Sequence, residues 1–280
     1  MAQVLILAAY ADIESLKDIV KLNDFSNPNI LKAMKLAQAV SAIFAFIVPS
    51  LFFAYFSSEQ KLSYLKINKG FSIVTGIAVI VLLFTAMPLI NWAGELNSKL
   101  VLPHFMSDIE NWMKGSEESL KKLTDAFLQM NGIKDLIVNV IVIALLAAIG
   151  EEFLFRGSMQ NVIAEWTKNK HAAVWITAIL FSAFHMQFYG FLPRMLLGVV
   201  LGYLYIWSGS LWLPILFHFL NNGMAVVASY LVHKGSIPPE TENIGAEGTP
   251  IIFVFASAVI SIGLMYFVYK HQPPTPEGGE

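Results

Sequence analysis

The sequence predicts an all-α fold: a polytopic transmembrane bundle of about seven to eight helices, with amphipathic helices at the interface. Three observations carry this expectation. The 280 residues are 56% hydrophobic and only 14% charged, with a mean hydropathy of +0.62, whereas a soluble domain carries roughly 25% charged residues. Apolar runs of about the 20 residues needed to cross hydrocarbon lie almost end to end. Trp and Tyr stand at several of their ends (Tyr55, Trp92, Tyr189, Trp207, Tyr230, Tyr269), as interfacial anchors do.

The runs read, in order, as residues 37–56, 71–92, 136–149, 172–189, 191–207, 211–232 and 251–269. The third runs directly into Glu151 and Glu152, which interrupt it. Before the first run, Val4–Ala9 is short, lacks a preceding basic residue and meets Asp12 and Glu14, unlike a signal peptide. Residues 1–36 read instead as amphipathic and interfacial. Lys17, Lys21, Lys32 and Lys35 precede the first run and Lys61, Lys66 and Lys69 follow it, a small asymmetry that leans towards a cytoplasmic N-terminus.

Between the second and third runs lies the long polar region 94–135. Gly115-Ser116-Glu117-Glu118 reads as a helix start capped by Ser116. Leu120, Leu123, Phe127 and Met130 then form one apolar stripe, with Lys121, Lys122 and Asp125 off it, as in an interfacial helix. Residues 158–170 read as a second such segment. Gly198 and Gly202 have the spacing of a close helix contact. The tail after Lys270, rich in Pro and Gly, reads as disordered. The net charge of −2 gives no electrostatic footprint for nucleic acid. The chain has no cysteine, which excludes disulfides and thiolate metal sites.

Polar groups inside a membrane cost a few kcal/mol each by insertion scales, so three clusters stand out. In Glu151-Glu152-Phe153-Leu154-Phe155-Arg156-Gly157, a continuing helix puts Glu152 and Arg156 one turn apart, where they can pair. Glu151 is rotated away and left without that partner, which suits a general base or acid. The same residues could also mark the interfacial end of a helix. Phe181-Ser182-Ala183-Phe184-His185 places an imidazole in an apolar run, for structure or for chemistry. His218 and Asn222 lie four apart on one helix face, whereas Asn221 points elsewhere; packing between helices is the alternative reading. Taken together, a carboxylate, two imidazoles and a carboxamide supply a base, a group to orient water and donors for an oxyanion. No nucleophile elbow surrounds Ser182 or Ser208, and a His-Glu-x-x-His box is absent.

The order Glu-Glu-x-x-x-Arg (Glu151, Glu152, Arg156), Phe-x-x-x-His (Phe181, His185) and His-x-x-x-Asn (His218, Asn222) resembles the CPBP family of intramembrane proteases. That family comprises type II CAAX prenyl endopeptidases with bacteriocin-processing and bacteriocin-immunity relatives. The resemblance spans roughly residues 136–232. It implies that Glu151 and His185 activate water, that His218 and Asn222 stabilise the oxyanion, and that Glu152, Arg156 and Phe181 support them. It leaves a choice between glutamate chemistry alone and a divalent metal such as zinc, which Glu151, His185 and His218 would hold.

The expected organisation is residues 1–135 as membrane helices and amphipathic segments, 136–232 as the catalytic core, 233–270 as a last membrane helix and 271–280 as a tail. The expected partners are the lipid bilayer and a membrane-associated peptide or protein substrate, with no nucleic acid. The expected location is a bacterial cytoplasmic membrane. The alternative is a non-enzymatic membrane protein: a proton-coupled transporter relaying through Glu151, His185 and His218, or an immunity scaffold. No internal repeat supports a transporter.

Overall fold

The computed structural model describes residues 28–238 and 250–271; the amphipathic reading of residues 1–27 and the disorder expected beyond 271 lie outside them. Among the described residues every regular element is helical. Helix α1 runs as Pro28–Ser41, a π-helical stretch Ala42–Ile47, and Val48–Ser57. After a single turn, Lys61–Tyr64, come α2 (Ile73–Ser98) and α3 (Ser107–Phe127). Helix α4 spans Ile133–Thr167. Four more follow: α5 (Lys170–Phe184), α6 (Phe191–Ser208), α7 (Trp212–His233) and α8 (Ile251–Lys270). Among the described residues six helices, α1, α2, α4, α6, α7 and α8, are long and apolar enough to cross a membrane, and α5 is a shorter apolar helix. The chain is a multi-pass integral membrane protein.

Local chemistry accounts for the boundaries. Ser72 caps α2 by accepting from the Thr75 N–H at 3.1 Å, and Asn169 caps α5 through His171 and Ala172 N–H at 2.9 and 3.1 Å. Gly209, at φ 64°, closes α6 in the left-handed conformation. Pro88 interrupts α2, and α8 repairs the break. Ser257 Oγ donates to Thr85 O (2.5 Å) and accepts from Leu89 N–H (3.2 Å), two groups that a regular helix would pair with each other.

The sequence reading needs three corrections here. The interruption at Glu151 and Glu152 does not end the third run: α4 continues for 35 residues and absorbs π-helical stretches at Val140–Leu146 and Phe153–Met159. Residues 158–167 are therefore its C-terminal part rather than a separate interfacial helix, and Ser158 and Gln160 are buried. The reason is that the polar groups find partners inside the bundle. Second, α3 begins at Ser107, with Asp108 and Glu110 in its first turn favouring the helix dipole. Ser116 thus lies mid-helix and caps nothing. The expected stripe holds, however: Phe127 and Met130 are buried while Lys121, Lys122 and Asp125 face outward. Third, the run 172–189 stops being α-helical at Phe184, so His185 sits at the C-cap.

One core cluster joins Leu82 of α2, Leu201 and Leu204 of α6, and Leu213 and Phe217 of α7. A second joins Ala54 of α1, Leu65, Phe153 of α4, Tyr205 of α6 and Ile215 of α7. The expected close contact at Gly198 and Gly202 is present. A Cβ on Gly198 would lie 3.0 Å from Ala178 Cα, and one on Gly202 would lie 2.9 Å from Val174 Cγ1. These glycines let α6 approach α5 and expose two carbonyls that α4 uses. Arg156 Nη2 donates to Gly198 O at 3.1 Å and Gln160 Nε2 to Gly202 O at 3.2 Å, so two residues four apart on α4 match two glycines four apart on α6.

Candidate active site

The site is built around the short α-helical piece Ala147–Glu152 between the two π stretches of α4. Gly150 lets α1 lie close behind it: a Cβ there would meet Ala42 O at 3.1 Å and Phe46 Cδ2 at 3.3 Å. Glu151 faces a cavity of about 350 Å³, whose lining includes His185, His218, Asn222 and Phe181. The structure thus brings the four polar residues singled out in the sequence to one place, from α4, the end of α5, and α7. Glu152 and Arg156 stand behind the wall, both fully buried.

Each imidazole is fixed through Nδ1. That of His185 lies 2.8 Å from Phe181 O, one of the carbonyls a helix end leaves unpaired. A carbonyl only accepts, so this Nδ1 carries the proton and the neutral ring's Nε2 is an acceptor. The Nδ1 of His218 lies 2.8 Å from Glu152 Oε1, which also accepts from Arg156 Nη1 at 2.7 Å. Both Nε2 atoms face Glu151 Oε2, at 3.9 Å from His185 and 3.8 Å from His218. Those gaps exceed a hydrogen bond, and Glu151 Oε2 has no hydrogen-bond partner among the described residues.

Phe181 holds the rings in place. Its ring centroid is 4.9 Å from that of His185, 5.9 Å from that of His218 and 5.1 Å from that of Phe155, with Arg156 Cζ 4.5 Å above it. The loop after His185 is pinned from outside. Asn97 of α2 donates to Phe188 O (2.7 Å) and accepts from Leu192 N–H (2.8 Å), while Ser182 Oγ donates to Phe191 O (2.6 Å). Asn222 is loosely held, with Nδ2 3.5 Å from Ile143 O and Oδ1 3.3 Å from Asn221 Nδ2, leaving its amide available to the cavity.

Carboxylate and imidazole are donors that zinc accepts, but donors on one tetrahedral zinc lie roughly 3.4 Å apart, closer than the 3.8 and 3.9 Å here. Among the described residues no three His, Asp or Glu side chains gather as an ion-holding group. The residues as arranged do not fit a bound metal.

Two polar lining side chains escape the sequence reading. Asn221, expected to point elsewhere, lines this cavity and also a neighbouring apolar one of about 610 Å³ between α2 and α7. Arg194 also lines the site. Its signal was in the sequence: a lone guanidinium in the apolar run 191–207, costly by the same reasoning that picks out Glu151.

Residues 133–224 match the family described as type II CAAX prenyl endopeptidase Rce1-like. The chain is similar to the uncharacterized protein YpbD of Bacillus subtilis (strain 168), with 31% identity over 88 residues covering 30% of this chain and 42% of that relative. It is also similar to an uncharacterized 24.3 kDa protein of Escherichia coli, with 39% identity over 92 residues, 31% of this chain and 42% of that relative. The chain therefore spans under half the length of these curated relatives. No solved structure matches. The matched segment contains Glu151, Glu152, Arg156, Phe181, His185, His218 and Asn222. This segment, about a third of the chain, is similar to the Rce1-like family and through it to the CPBP family of intramembrane proteases.

Proposed function

We propose that this chain is an intramembrane endopeptidase that hydrolyses a peptide bond of a membrane-associated peptide or protein with water activated by Glu151 and His185. One observation carries the reading: Glu151 Oε2 faces two imidazole Nε2 atoms across gaps of 3.8 and 3.9 Å. Each ring's Nδ1 is already committed, so a small molecule with two protons to donate suits the space between them, and water is that molecule.

Water donates one hydrogen to Glu151 and the other to His185 Nε2, which leaves an oxygen lone pair for the substrate carbonyl. As the C–O bond forms, Glu151 takes the proton and the carbonyl oxygen becomes an oxyanion. Asn222 Nδ2 donates to it, and so does His218 Nε2 when that ring enters the cycle already doubly protonated and stays so throughout. Glu151 then returns its proton to the departing nitrogen. The C–N bond breaks, giving a carboxylic acid and an amine. The match to a protease family supports the reaction class. The two bacterial sources of the relatives support a bacterial cytoplasmic membrane as the setting.

The test compares membrane-associated and released peptides from cells carrying the intact chain or its Glu151→Gln form. A peptide released only by the intact chain is the expected result and identifies the substrate. An unchanged, well-sampled peptidome would overturn the reading.

A further inference from the structure

We propose that Arg194 sets substrate specificity: its guanidinium receives a carboxylate of the peptide being cleaved, either a free C-terminus or an Asp or Glu side chain. The proposal rests on the endopeptidase reading and deepens it. Arg194 lies in the first turn of α6, on the wall shared with Glu151, His185 and His218. Its hydrogen bonds run to neutral acceptors. Nη2 donates to Gln187 Oε1 at 2.6 Å, whereas the contacts of Nη1 with Gly190 O and Gln187 O are long, at 3.4 and 3.5 Å. Among the described residues no carboxylate stands within the 4.0 Å of an ion pair. The acids whose charges reach it are Glu117 of α3 and Glu151.

Arg156 makes the contrast. It is fully buried, where Arg194 is partly buried, and it has Glu152 at 2.7 Å. A guanidinium in a membrane bundle without such a partner carries a desolvation cost that an incoming anion relieves. The surroundings keep it in place. The guanidinium lies against Gly190, where a Cβ would come within 3.2 Å of Nη2 and 3.3 Å of Nη1. With one short bond among five N–H donors, the fork retains capacity for a bidentate carboxylate. Glu151 shares the cavity and repels that carboxylate, so the substrate's anion sits on the Arg194 side while the scissile carbonyl meets Glu151.

A bracing role for the His185 loop is the competing account, and a ratio separates the two. The purified full chain in detergent is given internally quenched hydrophobic peptides ending in a free acid or an amide, each with an internal Asp or Asn. The expected result is a preference of about tenfold or more in kcat/KM, carried by KM, for one carboxylate-bearing member of a pair. Arg194→Gln should collapse that ratio to about one, and Arg194→Lys should retain part of it. The acid–amide pair reports a C-terminus and the Asp–Asn pair a side chain. No preference in the wild type, or a ratio that survives in Arg194→Gln while all rates fall together, overturns the proposal. Fluorescence anisotropy of the same peptides, labelled, on Glu151→Gln protein with and without Arg194→Gln reads carboxylate recognition without turnover. A binding preference that depends on Arg194, with no hydrolysis by the wild type, would defeat the endopeptidase reading and keep the carboxylate site. Equal binding of acid and amide and of Asp and Asn would defeat the site itself.

Discussion

His218 Nδ1 and Arg156 Nη1 meet at a single oxygen, Glu152 Oε1, at 2.8 and 2.7 Å. One buried carboxylate thereby ties α7 to α4 and fixes an imidazole at the cavity, while its charge is matched by a guanidinium that also reaches the Gly198 carbonyl of α6. The hydrogen bond at Nδ1 determines what Nε2 can offer, so Glu152 shapes the chemistry without lining the cavity.

Removing one member of this pair should be costly. Arg156→Met leaves a fully buried carboxylate uncompensated, and the expected loss is about 3–5 kcal/mol. The double variant with Glu152→Gln should recover much of that stability but not the activity. Thermal unfolding in detergent checks it; a single variant that melts like the wild type would show that the pair carries no structural load.

Asn222→Ala removes a loosely held amide that faces the cavity, so stability should change little. Turnover should fall by roughly 10²–10³, the scale of a lost oxyanion donor. A lowered melting temperature with unchanged turnover of the folded protein would assign Asn222 to packing instead.

Gly202→Ala places a Cβ 2.9 Å from Val174 Cγ1 and 3.0 Å from Gln160 Oε1. The expected destabilisation is about 1–3 kcal/mol. Gly263→Ala on α8 meets nothing within 4 Å and serves as the control that should be tolerated. Equal melting temperatures for the two variants would contradict the tight α5–α6 crossing.

Lys66, between α1 and α2, sits over the Tyr205 ring at 4.0 Å. Burial, reinforced by Lys170 and Lys69, pushes its ammonium down from 10.5 to about 8. Between pH 8 and 10.5 the unfolded chain therefore holds more of this proton than the folded one, so this group's contribution to stability rises with pH. Relative to Lys66→Met, the wild type should gain thermal stability from pH 8 to pH 10. Parallel curves would refute the shift.

Much of this architecture is legible in the sequence because membrane helices are written as apolar length. The four cavity residues are legible because polar groups in such runs are conspicuous, and the Glu152–Arg156 pair follows from one-turn spacing. The continuation of α4 past Glu151 is not legible. It depends on Gly198 O and Gly202 O as acceptors for Arg156 and Gln160, and backbone acceptors on a distant helix leave no mark in local sequence. Nor does hydropathy show that His185 caps a helix, since Met186, Phe188 and Tyr189 extend the apolar run past it. The turn is made by Asn97, ninety-one residues away from Phe188.

The two π-helical stretches that flank Ala147–Glu152 set how this helix tolerates a change of length. Each accommodates a residue beyond what regular α-helical winding would hold over the same rise. Deleting one residue from Val140–Leu146 would let that stretch relax to the α form and leave Glu151 and Glu152 close to their present phase. Deleting one from a regular α-helical stretch instead turns everything beyond it by roughly 100° about the helix axis. A single-codon loss in this helix would therefore be absorbed at a π-helical stretch and felt outside one, and a hydropathy profile would show neither.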